Sequence, residues 1–168
     1  KGVDLHAKDA LGDTPLHRAS NRGNLKMVQL LIEKGADVNA KNDDDWTPLY
    51  VASREGHLKM AKFLIKHGAD MNAKTKWGDT PLHWAVDSGH LDLAKLLKIV
   101  GHLDENDSID TLISDIENLT ADEIKGYYNE NKVEIDSLMK QRKDSQLALS
   151  IVHNPNNVVS HPNFNKVR

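Results

Sequence analysis

The chain has 168 residues, of which 39% are hydrophobic and 28% charged, and its formal net charge is −3 at pH 7. These values are typical of a folded globular protein and exclude an intrinsically disordered one. The absence of cysteine excludes disulfides and thiolate-bound zinc, and no apolar run reaches the roughly 18 residues that a membrane-spanning helix needs.

Charge is distributed unevenly along the chain. Residues 1–102 hold 15 basic and 13 acidic residues, residues 103–137 hold 11 acidic residues and two lysines, and residues 138–168 hold five basic residues and one aspartate. Blocks of this kind most often form solvated surface. Because the lysines lack interleaved arginine or aromatic residues, they are not the pattern of a phosphate-binding surface, and we expect no nucleic-acid partner.

A four-residue pattern occurs three times at a spacing of 33 residues, as Thr14-Pro15-Leu16-His17, Thr47-Pro48-Leu49-Tyr50 and Thr80-Pro81-Leu82-His83. Other residues recur at the same step: Ala19, Ala52 and Ala85; Gly23, Gly56 and Gly89; Leu25, Leu58 and Leu91; Gly35, Gly68 and Gly101. A period this strict indicates stacked structural units.

This pattern and period resemble the ankyrin repeat family, whose signature is Thr-Pro-Leu-His in a 33-residue unit. The resemblance implies an all-α fold with short β-hairpins: an ankyrin repeat solenoid of three full repeats plus a partial N-terminal one, with a non-repeat C-terminal helical cap. The partial repeat corresponds to the end of a unit, so we interpret the chain as a fragment of a longer array. The expected boundaries are 1–8 for the partial repeat, 9–41, 42–74 and 75–101 for the full repeats, 102–152 for the capping segment and 153–168 for an extended or disordered tail.

The first full repeat contains start and stop signals for its helices. Thr14 is suited to the N-cap and Pro15 to the first helical position, so the first helix is predicted over residues 15–21. Gly23 is expected to end it in the left-handed conformation. The second helix is predicted to bury one apolar face, formed by Leu25, Val28, Leu31 and Ile32.

The second repeat departs from this design at two positions. Asp45 stands where the other repeats have Gly12 and Gly78, and if the turn needs a positive φ, aspartate costs on the order of 1 kcal/mol relative to glycine. Tyr50 replaces the signature histidine. Since the family uses that imidazole to link neighbouring turns, the link is expected to be made here by a phenol or to be absent.

The end of the third repeat carries apolar residues at positions that are polar in the earlier repeats. Lys98 takes the place of a core isoleucine, while Ile99 and Val100 stand where the earlier repeats have charged residues or histidine. This exchange indicates that a following segment covers the end of the array, as terminal repeats require. A helix predicted over residues 108–119 offers the covering stripe Ile109, Leu112, Ile113 and Ile116.

Two more helical segments are predicted before the tail. Thr120 opens a sequence with the spacing of a capping box, followed by Ile124, Tyr127 and Tyr128. A further segment over roughly 132–152 has apolar residues at helical spacing, but a polar interruption at 141–145 leaves open whether it is one helix or two.

No motif in the chain names a reaction. Of the nine histidines, His17 and His83 belong to the repeat signature, His57 and His90 follow turn glycines, and the remainder lack ligand spacing. Phosphate-loop, dinucleotide-binding and nucleophile-elbow motifs do not occur. We therefore expect no enzyme activity, no cofactor and no metal site.

The resemblance implies that the chain binds another protein through its concave face and hairpin tips. Acidic residues at the tips favour a partner with a basic patch. Trp46 and Trp77 either contact that partner or fold onto neighbouring hairpins, and the sequence leaves both open. The expected contact residues are Leu11, Asp13, Arg22, Asp44, Trp46, Arg54, Glu55, Trp77, Asp79 and Asp87.

An alternative is that the chain is the targeting arm of a larger enzyme or secreted effector whose activity lies elsewhere. The chain has 17 lysines and five arginines, a bias that fits an A+T-rich genome. We expect a monomer in the cytoplasm, or in the host cytoplasm if the source is an intracellular bacterium, with no membrane attachment.

Overall fold

The computed structural model describes residues 2, 4–102 and 121–153, with side chains described except at 102, 121, 142 and 146–153. These residues form helices and turns, without a β-strand. None of the helices within these ranges is long and apolar enough to cross a membrane. The helices are α1 (Pro15–Asn21), α2 (Leu25–Glu33), α3 (Pro48–Arg54), α4 (Leu58–Lys66), α5 (Pro81–Asp87), α6 (Leu91–His102) and α7 (Ala121–His153).

The first six helices form three pairs, α1 with α2, α3 with α4 and α5 with α6, and the first helices of the pairs pack on one another in the order α1, α3, α5. Each first helix begins at the proline of the signature, and the extended threonine before it is the N-cap. The predicted helix over residues 15–21 is therefore confirmed. Gly23, Gly56 and Gly89 follow these helices with φ between 66° and 75°, which lets the chain turn into the second helix.

The second helices differ in burial along the array. Val28 and Leu31 are buried in α2 as predicted, but Leu25 and Ile32 are only partly buried. Met27 and Leu30 of α2 are 44% and 46% exposed. At the equivalent positions of α4 and α6, Met60, Leu93 and Leu96 are buried and Phe63 is partly buried, so these two positions are covered better in the later repeats.

The predicted hairpins are tight turns rather than strand pairs. In the second turn the Asn42 amide donates to the Trp46 carbonyl at 3.0 Å, and the Asp45 amide donates to the Asn42 carbonyl at 3.1 Å. Equivalent bonds close the turns over residues 9–13 and 75–79. Asp45 has φ of 62°, which confirms the left-handed conformation expected from its alignment with two glycines.

Replacing Asp45 with glycine should raise the free energy of unfolding by up to about 1 kcal/mol, because it removes left-handed strain while adding some unfolded-state entropy. The aspartate contributes little else, since its contact with Lys41 is 3.9 Å long and exposed. Urea unfolding of Asp45→Gly beside the original chain measures the sign. Clear destabilisation would mean that the turn depends on the carboxylate.

Helix α7 lies against α4 and α6, so it covers second helices of two repeats. It is interrupted at Asn131, which has non-helical angles of φ −114° and ψ 16°. This break confirms the predicted boundary between two helical segments near residue 132. The polar stretch 141–145 does not interrupt the helix. Residues on an exposed helix face can keep a helical backbone without packing against other side chains.

The apolar end of the third repeat is buried, as expected. Ile99 and Val100 are 0% exposed, and Lys98 is 5% exposed. Ile124, Ile135 and Leu138 of α7 belong to the same hydrophobic cluster. The predicted stripe Ile109, Leu112, Ile113 and Ile116 and the tail beyond residue 153 lie outside the described residues.

Candidate functional site

The three turns project beside the first helices with one shared geometry. The first residue of each turn, Asp9, Asn42 or Thr75, accepts hydrogen bonds from the backbone amides two and four positions later, at 2.9–3.2 Å. Short polar side chains commonly stabilise turns in this way. We call residues 9–13, 42–46 and 75–79 the tips, and the tips together with α1, α3 and α5 the tip surface.

The third residues of the tips form an outer tip row, which consists of Leu11, Asp44 and Trp77. Leu11 and Trp77 are 61% and 65% exposed, more than almost any other large hydrophobic residue described. Asp44 is half-buried, and its carboxylate has no ion pair among the described residues. The outer tip row therefore presents an acidic group between two exposed apolar side chains.

The fifth residues of the tips form an inner tip row, which consists of Asp13, Trp46 and Asp79. Trp46 packs on Tyr50 with ring centroids 5.2 Å apart, and the guanidinium of Arg54 lies 4.8 Å from the Trp46 ring centroid. Its indole Nε1 is buried without a hydrogen-bond partner in the described part of the chain. Trp46 therefore packs within the repeat array, whereas the side chain of Trp77 is exposed to solvent and accessible to a partner.

The carboxylate of Asp13 also makes contacts within the repeat array. Its carboxylate accepts a hydrogen bond of 2.8 Å from the Asn42 side chain of the next tip and lies 3.4 Å from Arg18. Arg18 also pairs with Asp9, and the hydrogen bond from this guanidinium is the main reason why the pKa of Asp9 is lowered. Asp13 thus links the first and second tips. Because its carboxylate already interacts with Asn42 and Arg18, its electrostatic attraction for a partner is weaker.

Histidines link the repeats: the link by the signature residue His17 is the one that the family resemblance implies, whereas those by His57 and His90 were not predicted. His17 Nδ1 accepts from the Thr14 amide at 3.1 Å, so Nε2 carries the proton and donates to the Trp46 carbonyl at 2.8 Å. Burial lowers the pKa of His17, which favours this neutral form. His57 and His90 form equivalent 3.1 Å contacts to the carbonyls of Asn21 and Arg54 in the preceding repeats.

Tyr50 does not reproduce the histidine link. Across the described ranges its phenol has no hydrogen bond to the third repeat, and its ring instead meets Trp84 edge-on with centroids 6.2 Å apart. Burial, reinforced by the charge of Asp79, raises the pKa of Tyr50 to about 12. The phenol therefore stays neutral, and the contact between repeats two and three is aromatic.

The remaining predicted contact residues lie at the ends of the first helices. Arg22 and Glu55 are the C-caps of α1 and α3, and Asp87 is the last residue of α5. Arg54 donates to Glu55 at 2.8 Å, so these two charges partly neutralise each other. Arg22 and Asp87 are exposed.

Helix α7 covers part of the second helices α4 and α6. Lys62 pairs with Glu134 of α7 at 2.9 Å, and the Ser145 hydroxyl donates to the Lys66 carbonyl at 2.5 Å. No group of three metal-ligating side chains comes together in residues 4–102 and 121–153 as far as their side chains are described. The second helices and the metal-ligating side chains of the described residues therefore provide no second candidate site.

Comparison with known proteins identifies the family. The model for ankyrin repeats in three copies matches residues 1–75, and the model for a single ankyrin repeat matches residues 77–107. The chain belongs to the ankyrin repeat family. Modules of this family are typically non-enzymatic and generally mediate protein–protein interaction.

A fowlpox virus (strain NVSL) protein whose name describes it as an ankyrin repeat protein is 56% identical over 32 residues. That stretch is 19% of this chain and 5% of the viral protein. The chain therefore spans only a small share of that relative, and the likeness concerns about one repeat.

Proposed function

We propose that this array binds another protein through its tip surface. The observation that carries the proposal is the exposure of Trp77 and Leu11, 65% and 61%, at equivalent positions of hydrogen-bonded turns. Tryptophan is enriched among interface hot spots because it contributes a large apolar area at a low entropic cost. The hydrogen-bonded turns favour binding further, because a preorganised site loses less conformational entropy when a partner binds.

Charge supports a basic surface on the partner. Asp43, Asp44, Asp79 and Asp87 lie on the tips or at the end of α5. Asp43 and Asp87 are exposed, whereas Asp44 and Asp79 are half-buried. Complementary charge raises the association rate and disfavours acidic competitors. Binding should accordingly weaken as salt is added, because exposed charges are screened within about 10 Å at 0.1 M ionic strength.

Trp77→Ala should weaken binding of the partner by at least about 2 kcal/mol, or roughly thirtyfold. Met27→Ala is the matched control, because Met27 is also exposed but lies on α2. The immobilised chain and both variants are used to capture proteins from a lysate of the source, and the retained proteins are quantified by mass spectrometry. A partner that is lost with Trp77→Ala and kept with Met27→Ala supports the proposal.

Lys59→Ala provides the opposing test on the second helices. Lys59 is exposed on α4, whereas Lys62 is engaged with Glu134. The substitution should change the affinity of the captured partner by well under about 1 kcal/mol. A loss larger than that of Trp77→Ala would place the interface on the second helices and overturn the proposal.

A further inference from the structure

The outer tip row has a regular geometry that restricts what it can bind. The amides of Leu11, Asp44 and Trp77 each donate to the side chain of the first residue of their own tip. Neighbouring tips are also joined directly, since the Asp43 amide donates to the Leu11 carbonyl and the Lys76 amide donates to the Asp44 carbonyl, both at 3.2 Å. The three side chains therefore start from equivalent, fixed positions.

The spacing of the row follows from these bonds. Each tip contributes two chain segments, and hydrogen-bonded segments lie about 4.7–4.9 Å apart. Equivalent residues of successive tips should therefore repeat about every 10 Å. A polyproline II helix has three residues per turn and rises about 3.1 Å per residue, so one of its faces repeats about every 9 Å. A β-strand does not match, because its side chains repeat on one face every second residue.

We propose that the outer tip row binds a polyproline II segment that carries apolar residues at positions i and i+6 and a lysine or arginine at i+3. The cation faces Asp44, and the apolar residues face Leu11 and Trp77. The exposed indole suits this ligand, because aromatic side chains are the usual partners of proline-rich segments. The pattern reads the same in either chain direction, so both orientations of the segment satisfy it.

The inner tip row does not compete for this role. Trp46 is covered by Arg54, and Asp13 is bonded to Asn42 and close to Arg18. Of these two rows, the outer one therefore has its apolar side chains exposed and its carboxylate without an ion pair among the described residues. This inference rests on the proposed function and narrows it to one class of partner segment.

A peptide pair tests the spacing. The first peptide is Leu-Pro-Pro-Lys-Pro-Pro-Leu with blocked ends, and the control, Leu-Pro-Pro-Pro-Lys-Pro-Leu, has the same composition with the lysine turned to another face. Titrations into the isotopically labelled full chain are followed by NMR, where the indole N–H signals report on the tryptophans individually. We expect the first peptide to bind at least tenfold more tightly and to shift the Trp77 indole signal most.

A charge exchange tests the residue assignment. Asp44→Lys should weaken binding of the lysine peptide at least tenfold and should reverse the preference, so that Leu-Pro-Pro-Glu-Pro-Pro-Leu binds better. Trp77→Ala should weaken the lysine peptide to the same extent. Glu33→Lys and Met27→Ala, exposed changes on α2, should leave the affinity within about twofold.

Equal affinity for the two lysine peptides, no binding of either, or no reversal with Asp44→Lys would overturn the inference. The proposed function is tested separately, by the lysate capture with Trp77→Ala. If lysate capture gives a partner that depends on Trp77 while the peptides do not bind, the tip surface binds a protein of another shape. If no captured protein depends on Trp77, both proposals fall.

Discussion

Ile135→Ala should lower the free energy of unfolding by about 2–4 kcal/mol, the usual cost of removing a buried isoleucine side chain beyond its β-carbon. Ile135 is 1% exposed and belongs to the hydrophobic cluster that α7 shares with the repeats. Val133, two residues earlier on the same helix, is 85% exposed. Val133→Ala should therefore change stability by less than about 0.5 kcal/mol.

Urea unfolding of the two variants beside the original chain measures this difference. A large effect of Ile135→Ala on a single transition would mean that α7 and the repeats unfold together. Equal, small effects of both substitutions would contradict the packing of α7 against α4 and α6 and make α7 an independent appendage.

Gly56→Ala should destabilise the fold by about 2–4 kcal/mol, whereas Gly89→Ala should cost about 1–2 kcal/mol. Both glycines have φ of 75°, so the left-handed strain of an alanine is the same for each. A β-carbon at position 56 would lie 2.5 Å from the His90 imidazole, while none of the described atoms lies within 4 Å of one at position 89. The first substitution must also displace His90 from the Arg54 carbonyl, which sacrifices a partly buried hydrogen bond.

Thermal and denaturant unfolding of both glycine variants provides the measurement. His90→Ala in the Gly56→Ala background is the informative control, because it removes the ring that the new β-carbon meets. The second substitution should then cost less than it does alone. If Gly56→Ala and Gly89→Ala were equally destabilising, the short distance between residue 56 and the His90 ring would make no contribution to the free energy of unfolding.

The local features of the repeats could be predicted because single residues determine them. A proline at the first helical position and a glycine in the left-handed region place the ends of α1, α3 and α5. The positive φ of Asp45 followed from its alignment with two glycines. Each of these depends on backbone sterics within a few residues, which the sequence states directly.

The placement of α7 could not be predicted in the same way. An apolar stripe such as that containing Ile124, Ile135 and Leu138 indicates that one face of a helix is buried, but it does not identify the covering surface. The structure places these residues in the hydrophobic cluster of the repeats, with α7 lying against the second helices α4 and α6. Pairing of Lys62 with Glu134 similarly joins residues 72 positions apart, which no local pattern specifies.

The two tip tryptophans occupy different positions within the 33-residue repeat. Trp46 aligns with Asp13 and Asp79, and Trp77 aligns with Leu11 and Asp44, so they occupy different rows. Trp46 packs on Tyr50, a tyrosine that replaces the signature histidine of the family, and it also contacts Arg54. The sequence contained the difference in alignment, whereas the difference in exposure required the packed structure.

The most direct measurement of partner binding at the tip surface is site-specific photo-crosslinking. A benzophenone amino acid is introduced in place of Trp77 in one variant and in place of exposed Lys59 on α4 in another, and each variant is irradiated with the captured partner. The tip-surface account predicts a crosslink from position 77 and none from position 59. A crosslink from position 59 without one from position 77 would contradict it.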